Sequence, residues 1–394
     1  MTTALPKGFR LATINAGFRQ KERPDIALAV SDAPAVTAAM FTQAAFVAAP
    51  VIVAREMVRS SATMRAVLIN TGQANACTGD EGIANCRETL RLTAKACGLD
   101  AAEILPASTG VIGAQMKMDL WEQAIPALAA KLGSDGVEEF ANAIRTTDAF
   151  PKFSGAQVVT ENGTITLAGM AKGAGMICPN MATMLCVVLC DAAVAPADWR
   201  RMFQDAVKKT FNRITVDGDT STNDTIYGLA NGASGVSPDE RDLPLLQKAL
   251  EEILGDLAYM LVQDGEGATK VLRIAVTGAA SDEDAEKVAR TVGHSQLVKT
   301  AMYGRDANWG RIVAAIGRSG AAFQAKDVRV SLCGVELFRN EQPVDVDFDA
   351  LLEEPLQGRD IAIDISMGNG GGAYTLLASD LTHKYIDINA DYRS

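Results

Sequence analysis

The stretch GMAKGAGMICPNMATMLCVVLCD, Gly169 to Asp191, carries the decisive reading. Its second half, TMLCVVLC from Thr183 to Cys190, is an unbroken apolar run of strand length. Such a run is expected of a strand covered on both faces. The first half sets three glycines and a proline around Lys172. A threonine heading a buried strand, just behind a Gly/Pro-rich loop, stands where an N-terminal threonine nucleophile would. Thr183 is internal, however, and becomes N-terminal only if the Ala182–Thr183 bond is cut. The freed α-amino group, with a pKa of about 8, would then serve as base for its own hydroxyl. The plainer alternative makes Thr183 simply the first residue of a strand, and the local pattern alone favours it.

Composition narrows the chemistry around that threonine. The 394 residues hold only two histidines, His294 and His383, too few for a multi-histidine metal site and a poor basis for a histidine-centred triad. No metal centre is expected, and catalysis must use another base. The seven cysteines form no C-x-x-C pair, so neither a zinc ribbon nor a redox dithiol is indicated. Free thiols in a reducing cytoplasm are the simplest reading. Lys and Arg total 37 against 48 Asp and Glu, a net charge of −11, which disfavours nucleic acid as a partner. The longest apolar run, Ala44 to Ala54, is broken by Pro50 and is too short for a spanning helix of roughly 20 residues. The start MTTALPKGFR has no signal-peptide core.

The periodicities interleave helices and strands. Val137, Phe140, Ala141 and Ile144 mark one helix, with Ser134 as its expected N-cap. Trp199, Met202, Phe203, Ala206, Val207 and Phe211 mark a second, entered from Pro196. Leu246, Leu250, Ile253, Leu254 and Leu257 mark a third, expected to begin near Pro238, and a fourth starts at Ser281 with Asp284 three residues on. Asn162-Gly163 reads as a hairpin turn. Val271–Gly278, Val328–Cys333 and Ile361–Ser366 alternate with period two, as half-buried strands do. The class is α+β, layered sheets and helices, with residues 1–280 as the main catalytic domain and 281–394 as a smaller α/β domain.

Motifs in a fixed order then give a resemblance. AKGAGMI (Ala171–Ile177) followed by MATML is joined by NTGQANACTG (Asn70–Gly79), PASTGVIG (Pro106–Gly113), TTD (Thr146–Asp148) and DGDTSTNDT (Asp217–Thr225). DGEGATK (Asp264–Lys270), GRDANWGR (Gly304–Arg311), MGNGGG (Met367–Gly372) and the ending DINADYRS complete the set. Over nearly the whole chain this resembles the glutamate N-acetyltransferase family, also called ornithine acetyltransferases. The resemblance implies a self-processing fold of the N-terminal-nucleophile-like (DOM-type) kind. It implies cleavage at Ala182–Thr183 into an α fragment 1–182 and a β fragment from 183, held together as an α2β2 heterotetramer. The implied reaction is ping-pong: acetyl passes from N-acetyl-ornithine to the threonine, ornithine leaves, and glutamate takes the acetyl group in arginine biosynthesis. Some members also accept acetyl-CoA as a donor, and nothing in the sequence separates the two kinds. No cofactor, nucleic acid or membrane is implied.

The resemblance also assigns residues. Thr183 is the nucleophile; Thr109 and Gly110 match the oxyanion pair. Thr147, Lys172, Glu266, Asn389 and Ser394 match substrate-binding positions, with Thr147 taken over its neighbour Thr146. Taken alone, each of these has a bland reading: a glycine-rich turn for Thr109-Gly110, a loop lysine for Lys172, a solvated turn for Glu266, a frayed terminus for Ser394. The glycines of Gly368–Gly372 lack the spacing and lysine of a phosphate loop and read better as close backbone packing. The rival functions are a self-processing amidohydrolase or aminopeptidase of related fold, and a non-catalytic amino-acid-binding homologue.

Overall fold

The computed structural model describes residues 3–19, 23–178 and 184–391. The chain divides into two compact units. Among the described residues, the first takes those up to Asn212 together with Asp219–Leu261; the second takes Arg213–Gly218 and the chain from Val262 on. The strand Val271–Ala279, placed ahead of a boundary near 280 by the sequence, therefore belongs to the second unit.

The first unit is built on an eight-stranded sheet. Its strands are β1 (Phe9–Ile14), β2 (Ile26–Phe41), β3 (Thr63–Gln73), β4 (Ile104–Val111), β5 (Lys152–Thr160), β6 (Gly163–Lys172), β7 (Leu185–Cys190) and the strand Thr225–Ala230. The order is β4-β3-β2-(Thr225–Ala230)-β7-β6-β5, with β1 paired to β2. β4 runs parallel to β3, and β7 parallel to Thr225–Ala230. All six residues of β7 are buried, as its unbroken apolar run demands. Leu185, Val187 and Leu189 join a core with Trp121, Phe140 and Tyr227 on one face. On the other face, Gly169, Val188 and Gly228 stand side by side in register. A Cβ on Gly169 would meet Ile253 at 2.7 Å and Leu257 at 2.9 Å, and one on Gly228 would meet Phe203 at 2.4 Å. The missing side chains let the helices Asp242–Gln263 and Pro196–Lys209 approach the sheet closely.

The second unit has a seven-stranded sheet in which Val271–Ala279 lies between Asp360–Ser366 and Gly372–Ser379. Leu272, Ile274 and Val276 face a core shared with Val288 and Val292 of the helix Asp282–Gly293, while Arg273 and Thr277 are exposed. The alternation in sequence is thus the alternation of faces. The glycines near 370 do pack backbone on backbone: a Cβ on Gly370 would lie 2.0 Å from the Ala279 carbonyl oxygen, and one on Gly372 2.2 Å from the Ser281 carbonyl carbon.

Three local expectations need correction. The helix Val137–Ala143 is capped by Gly136, whose N–H donates to the Glu139 carboxylate at 3.0 Å; the Ser134 hydroxyl instead bonds Asp135. The third helix begins at Asp242, because a turn closed by the Asp239 carboxylate on the N–H groups of Arg241 and Asp242 precedes it. The β5–β6 hairpin forms, but Thr160 pairs with Gly163, so Glu161-Asn162 make the turn and Gly163, at φ +135°, opens β6. The cap at Ser281 forms as expected, accepting from the Asp284 N–H at 3.1 Å. No helix among the described residues is long and apolar enough to cross a membrane.

Candidate active site

In the first unit the parallel pair β3–β4 delivers Thr109 and Gly110 to an open strand end. Residues 104–108 of β4 are buried, whereas Thr109 and Gly110 are half-buried and Val111 is exposed. Thr109 is in register with Thr71, and Gly110 with Gly72. Gly110 has φ +131°, and a Cβ there would stand 2.4 Å from the Gly72 carbonyl carbon and 2.7 Å from the Gln73 nitrogen. Only glycine fits this approach.

A side-chain amide scaffold fixes that strand end. Ser108 donates to the Asn70 side-chain oxygen at 2.6 Å, and the Asn70 amide donates to the Gln73 carbonyl at 3.0 Å. Asn223 donates to the Ala74 carbonyl at 2.6 Å and the Ser108 carbonyl at 2.9 Å. Asn70, Ser108 and Asn223 are all buried. This gives a structural role to the motifs Asn70–Gly79 and Asp217–Thr225, which the sequence marked without explaining. The signal available was the recurrence of small amides in those motifs; the pairing was invisible, because Asn223 reaches its partners across more than a hundred residues.

Lys172 closes β6 opposite Leu185 and is buried, not an exposed loop lysine. Its Nζ donates to the Thr109 hydroxyl oxygen at 3.2 Å. Burial pushes the Lys172 ammonium below the usual lysine range; Asp148 and Asp224 oppose this, while Lys152 and Arg19 add to it. Asp148, the third residue of the TTD motif, carries no local pattern that marks it out. Its side chain is fully buried and pairs with the equally buried Lys152 at 2.7 Å. It also accepts from the Gly173 N–H at 2.6 Å and the Thr146 N–H at 2.8 Å. Burial would raise its carboxyl, yet the charges of Lys152 and Lys172 and the bonds from Lys152 and Gly173 hold it well below the usual carboxylate range. The Thr146 hydroxyl faces Asp148 as well, at 3.4 Å. Among the described residues no hydrogen bond engages the Thr147 hydroxyl, which is half-buried and one residue along.

In the second unit Glu266 is buried rather than a solvated turn residue. Its carboxylate accepts from the Asn389 side-chain amide at 2.8 Å. Asn389 lies on the helix His383–Asp391 and donates also to the Tyr385 carbonyl at 3.0 Å. The loop approaches this helix closely, since a Cβ on Gly267 would meet the Tyr385 nitrogen at 2.7 Å. The structure thus joins Thr109, Gly110 and Lys172 in one unit, and Glu266 with Asn389 in the other. Ala182, Thr183 and Ser394 lie outside the described residues.

The geometry is that of a site for polarising a carbonyl: a hydroxyl backed by a cation, on a strand whose next residue is a glycine. Comparison with known proteins supplies the family. The model of the ArgJ family matches residues 10–394. An arginine biosynthesis bifunctional protein ArgJ from Nitratidesulfovibrio vulgaris is 67% identical over 392 residues and covers 100% of both chains. The protein of that name from Geobacter sulfurreducens is 45% identical, covering 98% of this chain and 99% of its own. A solved ornithine acetyltransferase from Mycobacterium tuberculosis, complexed with ornithine, is 35% identical over 45% of this chain and 94% of its own, with a TM-score of 0.42. The chain belongs to the ArgJ family and is an acyltransferase of arginine biosynthesis.

Proposed function

We propose that this enzyme moves an acetyl group from N-acetyl-ornithine to glutamate through an acetyl ester on Thr183. The observation that carries the reading is the Lys172–Thr109 hydrogen bond beside Gly110, at the end of the β3–β4 pair. The precursor first cuts itself. The Thr183 hydroxyl attacks the Ala182 carbonyl, the amide becomes an ester, and water releases the two fragments with a free amine on Thr183. In the transfer reaction that amine takes the hydroxyl proton as the oxygen attacks the acetyl carbonyl. The tetrahedral oxyanion is held by the Thr109 hydroxyl and the Gly110 N–H. Collapse breaks the C–N bond, and the proton passes to the departing ornithine amine. Glutamate's amine then attacks the ester, and the same donors serve the second intermediate.

Lys172 takes the substrate α-carboxylate as a point charge, and Thr147 adds a hydroxyl contact. The pair Glu266–Asn389 takes the side-chain ammonium of ornithine. Ser394 contributes a further hydroxyl, and the cleaved fragments assemble as α2β2 in the cytoplasm. No cofactor takes part, and acetyl-CoA is a donor to be tried beside N-acetyl-ornithine.

Mass spectrometry under denaturing conditions tests the scheme. The purified protein should appear as fragments 1–182 and 183–394, and the second should gain one acetyl group on incubation with N-acetyl-ornithine alone. Thr183→Ala should remain a single chain. A wild-type chain that stays whole, or a fragment that never carries acetyl while glutamate is nonetheless acetylated, would contradict it.

A further inference from the structure

We propose that Asp148 is a positioning residue, a single buried carboxylate that ties the Thr146-Thr147 turn to the Lys172-Gly173 end of β6 and keeps Lys172 directed at Thr109. The inference rests on the acetyl-transfer reading of this site and adds to it a residue that touches no substrate.

The two carboxylate oxygens divide the work. Oδ2 accepts from the Thr146 N–H at 2.8 Å and faces the Thr146 hydroxyl at 3.4 Å. Oδ1 accepts from the Gly173 N–H at 2.6 Å and from Lys152 Nζ at 2.7 Å. Gly173 follows Lys172 directly and has φ +150°, and a Cβ there would meet Ile177 at 3.0 Å and Leu261 at 3.1 Å. The backbone at the end of β6 is therefore pinned from both sides, and Asp148 supplies the polar pin. The Thr146 hydroxyl is held back on Asp148, which leaves the Thr147 hydroxyl as the one the turn can offer to a ligand.

Charge ties the same residues together. Lys152 is fully buried and pairs with Ala171, so it stands on the neighbouring strand beside the same end of β6. The charges that face Lys172 are those of Asp148, Lys152, Arg19 and Asp224. Two buried ammonium groups without Asp148 would repel each other in a poorly solvated place, and Lys172 would shed its proton more readily. A neutral Lys172 could neither hold a substrate carboxylate nor polarise the Thr109 hydroxyl. Asp148 thus acts through Lys172, and through the turn that carries Thr147.

The test compares wild type, Asp148→Asn, the double variant Asp148→Asn/Lys152→Met, and Lys172→Met. The single variant takes the carboxylate away from two buried lysines and risks failing to fold; the double variant removes both members of the buried pair. Fragment processing is checked first, then kcat and KM for N-acetyl-ornithine and for glutamate are followed from neutral to alkaline pH. Asp148 raises the Lys172 proton affinity more than Lys152 lowers it. Losing both should therefore move the alkaline limb of kcat/KM toward lower pH and raise KM for both substrates several-fold. A double variant that folds, processes and keeps the wild-type limb and KM overturns the inference, and so does one that does not fold, since the pair is then a stability element. Absence of acetyl transfer in the wild type would overturn the functional reading as well, which separates the two failures.

Discussion

Lys172 Nζ stands 3.2 Å from Thr109 Oγ1, and the chemistry of the two groups fixes the direction of that bond. An ammonium has three donors and no acceptor. The Thr109 oxygen therefore accepts, and its hydroxyl hydrogen is free to point at a third atom. A hydroxyl that accepts from a cation is a stronger donor in turn, because each bond in a chain polarises the next. That is the property required of a group that meets an oxyanion.

Thr109→Ala should lower kcat by roughly a hundred- to a thousandfold, since loss of one such donor costs about 2.7–4 kcal/mol in the transition state. KM should change little. Thr109→Ser keeps the hydroxyl and the contact to Lys172, and should stay within about tenfold of wild type. Steady-state kinetics on fully processed protein checks this. An alanine variant with undiminished kcat would remove Thr109 from the reaction.

Gly110→Ala should be damaging for a different reason. The new methyl would lie 2.4 Å from the Gly72 carbonyl carbon, and that obstacle is backbone, not a flexible side chain. The φ of +131° adds strain of about 1–3 kcal/mol. β3 and β4 would have to part where their ladder carries Thr109. A lower melting temperature together with lost turnover is expected. A variant with wild-type melting and wild-type kcat would show that the approach of the two strands is not needed.

Runs that are buried on both faces, such as Leu185–Cys190, and strands that alternate, such as Val271–Ala279, were legible in the sequence because burial follows directly from side-chain chemistry. The ends of elements were less so. Pro238 suggested a helix start, but the Asp239 carboxylate closes a turn first. The site residues depended on family resemblance, since a lysine such as Lys172 looks like any loop lysine until β7 pairs beside it. Asp148 and Asn223 escaped entirely: Asp148 meets the Gly173 N–H 25 residues on and Asn223 the Ser108 carbonyl 115 residues back, which no local pattern records.

Glu266 and Asn389 give a test of substrate reading. The Asn389 amide donates to the Glu266 carboxylate at 2.8 Å and so orients it without neutralising it. Glu266→Gln should raise KM for N-acetyl-ornithine several-fold more than KM for glutamate, because only the ornithine side chain ends in an ammonium to pair. Asn389→Ala should share the direction with a smaller effect, since the carboxylate remains but loses its orienting bond. If Glu266→Gln harms the two substrates equally, the carboxylate serves the loop and does not read the ornithine side chain.

Lys299 supplies a stability prediction in which the sign runs against the usual lysine case. Its Nζ donates to the Val216 carbonyl at 2.5 Å and to the Ser379 hydroxyl at 3.2 Å. Burial pushes its pKa down from 10.5 to about 8, with Asp217 and Asp380 pulling the other way. Between those two values the unfolded chain holds more protons at this site than the folded one. The contribution of Lys299 to stability therefore rises with pH across that window, and is flat below about 8 and above 10.5. Other groups titrate in the same range: Cys86 and Cys190, pushed up to about 12 by burial, release protons from the unfolded chain first and oppose the trend. The useful quantity is thus a difference. Denaturant unfolding of wild type and of Lys299→Met, measured at several alkaline pH values, should show wild-type stability gaining on the variant as pH rises from about 8 to 10.5. A constant difference would mean that Lys299 keeps an ordinary proton affinity in the fold, with the Val216 carbonyl and its acidic neighbours fully offsetting its burial.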